Sequence, residues 1–280
     1  MNIIDLHYGN WDAKIAVDYG FNVYSLTCRG DDVLRTTADP ETDLAASPVV
    51  YGTPLLFPPD RLTNNGFSFE GKQYTMRNPD PAKPYKIHGS MHSAPMRVVY
   101  RSASMAVGEY EDAGVRYPFP FRMSISCELG GEGLRQRFCI MNTGSGNMPL
   151  VFGLHTTFLA RPIVSVSVGK AWVTGENFDA VEEKPLSDED RKLVSGRNTE
   201  GIILHDIYTD SGFHTATVGE YCYRLSRNFK NWVVWNKDGT RGFISLQPQS
   251  APVNSLNKPG RYIILAPGAE EVFETLITRA

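Results

Sequence analysis

The side chains best suited to proton transfer in this chain are two histidines that interrupt apolar or turn-forming stretches. His155, in VFGLHTTF, lies between Leu154 and Phe158 on a run that reads as a buried strand. Imidazole ionises close to neutral pH, so a histidine so placed can act as general acid or base. The same pattern fits a core histidine whose hydrogen bonds are satisfied, and the sequence leaves both readings open. His88, in YKIHGSMHS, follows a Pro-rich stretch and precedes Gly89, where the chain can turn sharply and present the ring to a cleft. His92 stands four residues further on, the spacing at which a helix would aim two imidazoles at one metal ion. Gly89, Ser90, Ser93 and Pro95 disfavour that helix, and no metal is expected. Arg61, in FPPDRLTNNGF, occupies a loop before a strand, where its guanidinium can donate paired hydrogen bonds to ligand oxygens or be an ordinary surface charge.

Other chemistries lack their parts. The glycines of GGEG and GSGN are not followed by helices, so they read as hairpin turns and not as phosphate-binding loops. No G-x-S-x-G elbow supplies a serine nucleophile. Glycoside hydrolysis needs two opposed carboxylates, and no Asp or Glu falls in an apolar strand context that would mark such a pair. Cys28, Cys127, Cys139 and Cys222 form no C-x-x-C pair and read as buried free thiols.

The elements that must position these residues are short strands. GFSFEGKQYTM alternates Phe67, Phe69, Tyr74 and Met76 about a Gly-Lys turn, the pattern of a hairpin with one buried face. FRMSISCELGGEGLRQRFCIMN alternates on both sides of its glycines and runs on through a second Gly-rich turn. Four more runs, NWVVWN, GFISLQ, RYIILAPG and EVFETLIT, follow at close spacing near the end. PLSDEDRKLVSG is the one helical candidate, with Ser187 and Asp190 forming a capping box, and its charges mark it as a solvated excursion. No fixed-period repeat and no low-complexity linker divides the chain, so a single domain over residues 1–280 is expected. The fold class is all-β, a large antiparallel β-sandwich, because so many half-apolar strands need a second sheet to cover them.

Composition agrees. With 41% hydrophobic and 21% charged residues, 14 Phe and 13 Tyr, the chain is that of a folded globular protein rich in strand formers. A net charge of -3 with dispersed Lys and Arg gives no footprint for nucleic acid or an anionic membrane. The opening MNIIDLHYGNWDAK lacks the basic and apolar segments of a secretory leader, and no apolar run is long enough for a membrane span, so a cytoplasmic protein is expected.

Together LLFPPDRLTNNGFSFEGKQY, IHG, YPFPFRMSISCELGGEGL, NTGSGNMPLVFGLHTTF, SLQPQSAPVN and ILAPG, in this order and spacing, resemble the aldose 1-epimerase (galactose mutarotase-like) family over nearly the whole chain. The resemblance implies the galactose mutarotase-like supersandwich, whose concave face holds a pyranose, and a reaction that interconverts the α and β anomers of a hexose or related sugar without a cofactor. By the same resemblance His155 is the general acid, His88 a hydrogen-bond donor to the sugar and Arg61 a substrate clamp. The family's base, a glutamate at the exit of a late strand, is replaced here by Gln247, and a neutral amide cannot take that proton; His88, beside the expected pocket, is the substitute base that the sequence offers. The rival reading is therefore a non-catalytic carbohydrate-binding protein on the same fold. The family's sugar-contacting aspartate falls in LHDIYTD, at His205 or Asp206, and Asp206 is the choice made from sequence. Threonines follow His155 where many members have proline and tyrosine, a change bearing on pocket shape. A sugar phosphate or acidic sugar is a further possibility, with Arg61, Lys86 and Arg97 as the cations. The partner expected is a small-molecule sugar; nothing in the chain sets an oligomeric state.

Overall fold

The computed structural model describes residues 1–77 and 85–280, so the Pro-rich stretch before Tyr85 lies outside the described residues. Two eight-stranded antiparallel sheets dominate them, and a four-stranded sheet from the N-terminal segment packs alongside. One large sheet is built on the long hairpin of Pro120–Gly130 and Gly133–Asn142, continued by Glu270–Arg279. Its sequence alternation is obeyed: Phe121, Met123, Ile125, Cys127 and Leu129 are buried on one face, as are Phe138 and Ile140 opposite them.

The other large sheet runs through Val168–Thr174, His205–Asp210, Asn231–Trp235 and Phe243–Gln249, with Gly153–Leu154 and Thr156–Leu159 pairing on the far side of the last. Phe243–Gln249 is buried at every position. A strand covered on both faces reads as a continuous apolar run. Here the run is interrupted by Ser245, Gln247 and Gln249, all on one face. The opposite face, with Leu246 and the neighbouring Trp232, joins the core between the sheets, where Trp232 meets Tyr223 at 6.2 Å and Phe152 meets Phe273 at 4.8 Å. The sheet thus spends one face on hydrophobic burial and lines the other with polar side chains.

The expected hairpin forms as Gly66–Phe69 and Lys72–Thr75, turning at Glu70 and Gly71 with Phe67 and Phe69 inside. Helix Asp188–Ser195 carries the capping box read from its sequence, Ser187 and Asp190 each satisfying the other's backbone N–H. A second short helix, Pro40–Ala46, was not anticipated. Its signal is there in Asp39, whose side chain accepts from the Thr42 N–H, followed by proline at the first helical position.

Candidate functional site

Strand register decides which side chains share the polar face. Val233 and Asn231 lie opposite Gln247 and Gln249, and Trp235 lies opposite Ser245. Gly153 pairs with Gln249 and Thr157 with Ser245, which places His155 level with Gln247. One strand further out His205 faces Trp235 and Ile207 faces Val233. Directly opposed residues in an antiparallel pair point the same way, so His155, Gln247, Gln249, Trp235 and His205 share one surface. On the same face Ile207, Val233 and Val253 make a small apolar cluster with Trp172, whose Nε1 donates to Asn231 at 3.0 Å.

The same register separates Asp206 from this surface. It lies opposite Val234, on the face that carries Tyr208, and Tyr208 donates to Asp190 of the capped helix at 2.8 Å. Of the two candidates in LHDIYTD, the structure brings His205 to the Gln247 face and not Asp206. The His205 ring stacks on Phe178, 4.2 Å between centroids and 15° between planes. Arg61 lies over the other aromatic walls, 4.7 Å from the Phe178 centroid and 5.2 Å from that of Tyr85. A planar guanidinium stacked this way can still direct its in-plane donors at a ligand.

His88 enters from a loop. The chain passes a cis Phe57-Pro58 bond, turns at Asp60 and returns through Tyr85–Ile87. Asp60 and His88 grip each other twice: the Asp60 N–H donates to His88 Nδ1 at 3.1 Å, and the His88 N–H donates to the Asp60 carbonyl at 2.8 Å. Both residues have positive φ, 56° and 60°, a region uncommon outside glycine and concentrated at functional sites. The bond to Nδ1 fixes the tautomer, leaving the proton on Nε2. Gly89 follows because nothing larger fits: a Cβ there would collide with the Phe57 carbonyl, and φ is +63°.

The rings of His88 and His155 meet edge to face at 5.5 Å, and His155 meets Trp235 in the same manner at 5.6 Å. His155 Nδ1 is 2.9 Å from the Ser245 hydroxyl. Burial pushes both imidazoles down to about 3, each helped by repulsion from neighbouring cations or imidazoles, so both are neutral at pH 7. The side-chain oxygens of Gln247 and Gln249 are buried and have no partner among the described residues. Buried polar atoms in native proteins are normally bonded, so such orphans mark a place where a ligand's hydroxyls can complete the set.

Sequence reasoning passed over one residue altogether. Asp60 is 4% exposed, with Gln249 Nε2 donating to its Oδ2 at 3.1 Å and Arg61 Nη1 lying 3.6 Å from its Oδ1. Burial raises its pKa above the usual carboxylate value against the opposing pull of Arg61, Gln249, His155 and His205. A carboxylate next to an arginine in a Pro-rich loop looks like surface charge; only the strand that closes over it shows otherwise.

Against His88 also lies a cavity of about 610 Å³, lined by Arg77, Lys86, His92 and Arg116 and by no acidic side chain among the described residues. Arg116 is held by the Ser90 and Ser93 carbonyls at 2.7 and 3.2 Å, whereas Lys86 is buried to 7% exposure and His92 Nδ1 has no partner among the described residues. Arg97, the third cation considered from sequence, is elsewhere, paired with Glu109 at 2.6 Å on an exposed strand. Among the described residues no group of three or more His, Cys, Asp or Glu is placed to hold a metal ion, and no helix is long and apolar enough to cross a membrane.

Two sheets of this topology, one with a polar surface carrying paired histidines, make the all-β galactose mutarotase-like fold. The pattern of the aldose 1-epimerase family matches residues 10–278, and the chain belongs to that family. Among solved structures it is similar to a galactose mutarotase-like protein from Clostridium acetobutylicum, with TM-score 0.90, 23% identity and coverage of 99% of this chain and 95% of that one. A GalM/aldose epimerase homologue from C. elegans superposes with TM-score 0.82 at 12% identity, covering 100% and 98% of the two chains. The galactose 1-epimerase of Lactobacillus acidophilus NCFM gives 0.70 at 13% identity, with 100% and 98% covered. At these identities the likeness speaks for the fold.

Proposed function

We propose that this protein interconverts the α and β anomers of a free hexose or related sugar held against the His155 and Gln247 face. Ring opening needs a proton taken from the C1 hydroxyl and one given to the ring oxygen. The observation that carries this reading is the pair of buried imidazoles, ring to ring at 5.5 Å, on the same surface as two glutamines whose oxygens lack partners among the described residues. His155 exchanges the proton with the ring oxygen. His88, its tautomer fixed by the Asp60 N–H, donates from Nε2 to the sugar, and Arg61 clamps a hydroxyl pair from the rim. Gln247 offers its amide as donor and acceptor to a sugar hydroxyl and cannot serve as base.

The rival reading, a sugar-binding protein without turnover, is separated from this one by anomer exchange measured through NMR saturation transfer on a panel of aldoses. Exchange faster than in buffer is expected for the wild type. Activity in Gln247→Glu alone would mean that the natural chain binds sugar and does not turn it over. The cavity with Lys86 and Arg77 favours a second, finer reading in which the sugar carries an anionic group. On that reading hexose phosphates or uronic acids exchange at lower KM than neutral hexoses in the same panel, and Lys86→Met removes the difference; equal KM values would dismiss it.

A further inference from the structure

The reaction needs a proton acceptor, and the strand position that the family resemblance points to holds an amide. Two other groups on the Gln247 face, His155 and His205, are imidazoles, and Asp206 points to the opposite face. We propose that the acceptor is Asp60: the carboxylate has been relocated from the late strand to the loop on the facing wall. This rests on the mutarotase reading above.

Three observations place Asp60 for this role. Its carboxylate is joined to Gln249, two positions beyond Gln247 on the same face of the same strand, so it reaches the surface on which the sugar lies. Its backbone is locked to that of His88 by two hydrogen bonds across a left-handed turn, so the carboxylate and the His88 ring are held at fixed mutual orientation. Finally, the group is 4% exposed and yet, among the described residues, has only one side-chain hydrogen bond, from a neutral amide, with Arg61 at 3.6 Å. A carboxylate kept for structure alone accepts several bonds when buried; Asp112 in this chain accepts from the backbone N–H groups of Gly114, Val115, Arg116 and Tyr117. Asp60 keeps lone pairs in hand.

The step balances within the pocket. Asp60 takes the proton of the C1 hydroxyl while the C1–O1 double bond forms and the C1–O5 bond breaks. The electron pair of that bond goes to O5, which receives a proton from the His155 imidazolium, the minor form of a ring that burial keeps neutral in the empty site. The open-chain aldehyde then faces protonated Asp60 and neutral His155. After rotation about C1–C2 the transfers reverse, Asp60 returning its proton to O1 and His155 recovering that of O5. Asp60 and His155 hold one proton between them throughout, and no reset through solvent is needed.

The test compares the wild type with Asp60→Asn and Gln249→Met in anomer exchange over a range of pH. Asparagine keeps the shape, and Gln249 can turn its unpartnered oxygen toward the new amide, so the fold is expected to survive. Exchange in Asp60→Asn should fall by about 10² to 10⁴-fold with sugar binding retained. Gln249→Met removes the side-chain donor that Asp60 has among the described residues, and the acid limb of its kcat profile should move to higher pH. Full exchange in folded Asp60→Asn, or an acid limb unmoved in Gln249→Met, overturns the assignment while leaving the mutarotase reading intact. A wild type without exchange overturns both.

Discussion

Replacing His155 by alanine is expected to cut anomer exchange by about 10² to 10⁴-fold, the usual worth of a positioned general acid. The residue is 3% exposed and its Nδ1 meets the Ser245 hydroxyl at 2.9 Å. Deletion therefore also strands one hydroxyl and opens a small space, at a cost of about 1–3 kcal/mol. That is within the stability of an ordinary domain, so circular dichroism and the unfolding midpoint should report a folded variant. Arg61→Ala should lose turnover too, since it removes both the guanidinium over Phe178 and the cation 3.6 Å from the Asp60 carboxylate. If both variants keep wild-type exchange, His155 is a core histidine and the proposed chemistry fails.

Acid should destabilise the fold well above the pH at which carboxylates titrate. Burial lowers His88 and His155 to about 3 and His92 to about 4. The unfolded chain takes up their three protons near pH 6.5. A depressed histidine contributes stability that is full above its unfolded pKa and is lost as pH falls toward its folded one. Asp60 and Asp206, both raised by burial, act in the opposite sense, because the native state holds on to their protons longer. The histidines outnumber them, and stability should fall by roughly 1–4 kcal/mol per pH unit between about pH 6 and 4.5. Urea unfolding at three pH values measures this slope. A flat profile would mean that the imidazoles are far better solvated than their burial implies.

What could be read from sequence follows the range over which each signal acts. Alternation within one hairpin, a capping box within one turn and the order of motifs along the chain are local or one-dimensional, and the Phe121 to Leu129 face and the Ser187 and Asp190 pair were legible from them. His155 drew notice because it breaks an apolar run, and the structure buries it ring to ring with His88. The choice between His205 and Asp206 was not, since adjacent residues on a strand face opposite ways and only pairing with Trp235 settles which is presented. Asp60 was hidden for a related reason: its surroundings come from Gln249, 189 residues away. Helix Pro40–Ala46 was missed although Asp39 and Pro40 announce it, because seven residues give too short a window for a helical period.

That long reach between Asp60 and Gln249 also bears on how the protein comes to life during synthesis. The loop bearing Asp60 and His88 is made early, but the strand that covers it, Phe243–Gln249, emerges only when most of the chain has left the ribosome. Contacts so distant in sequence form late and together. Nascent or truncated chains ending before Phe243 would therefore leave the Asp60 and His88 segments without their covering strand, so the proposed pocket is completed all at once by one late strand.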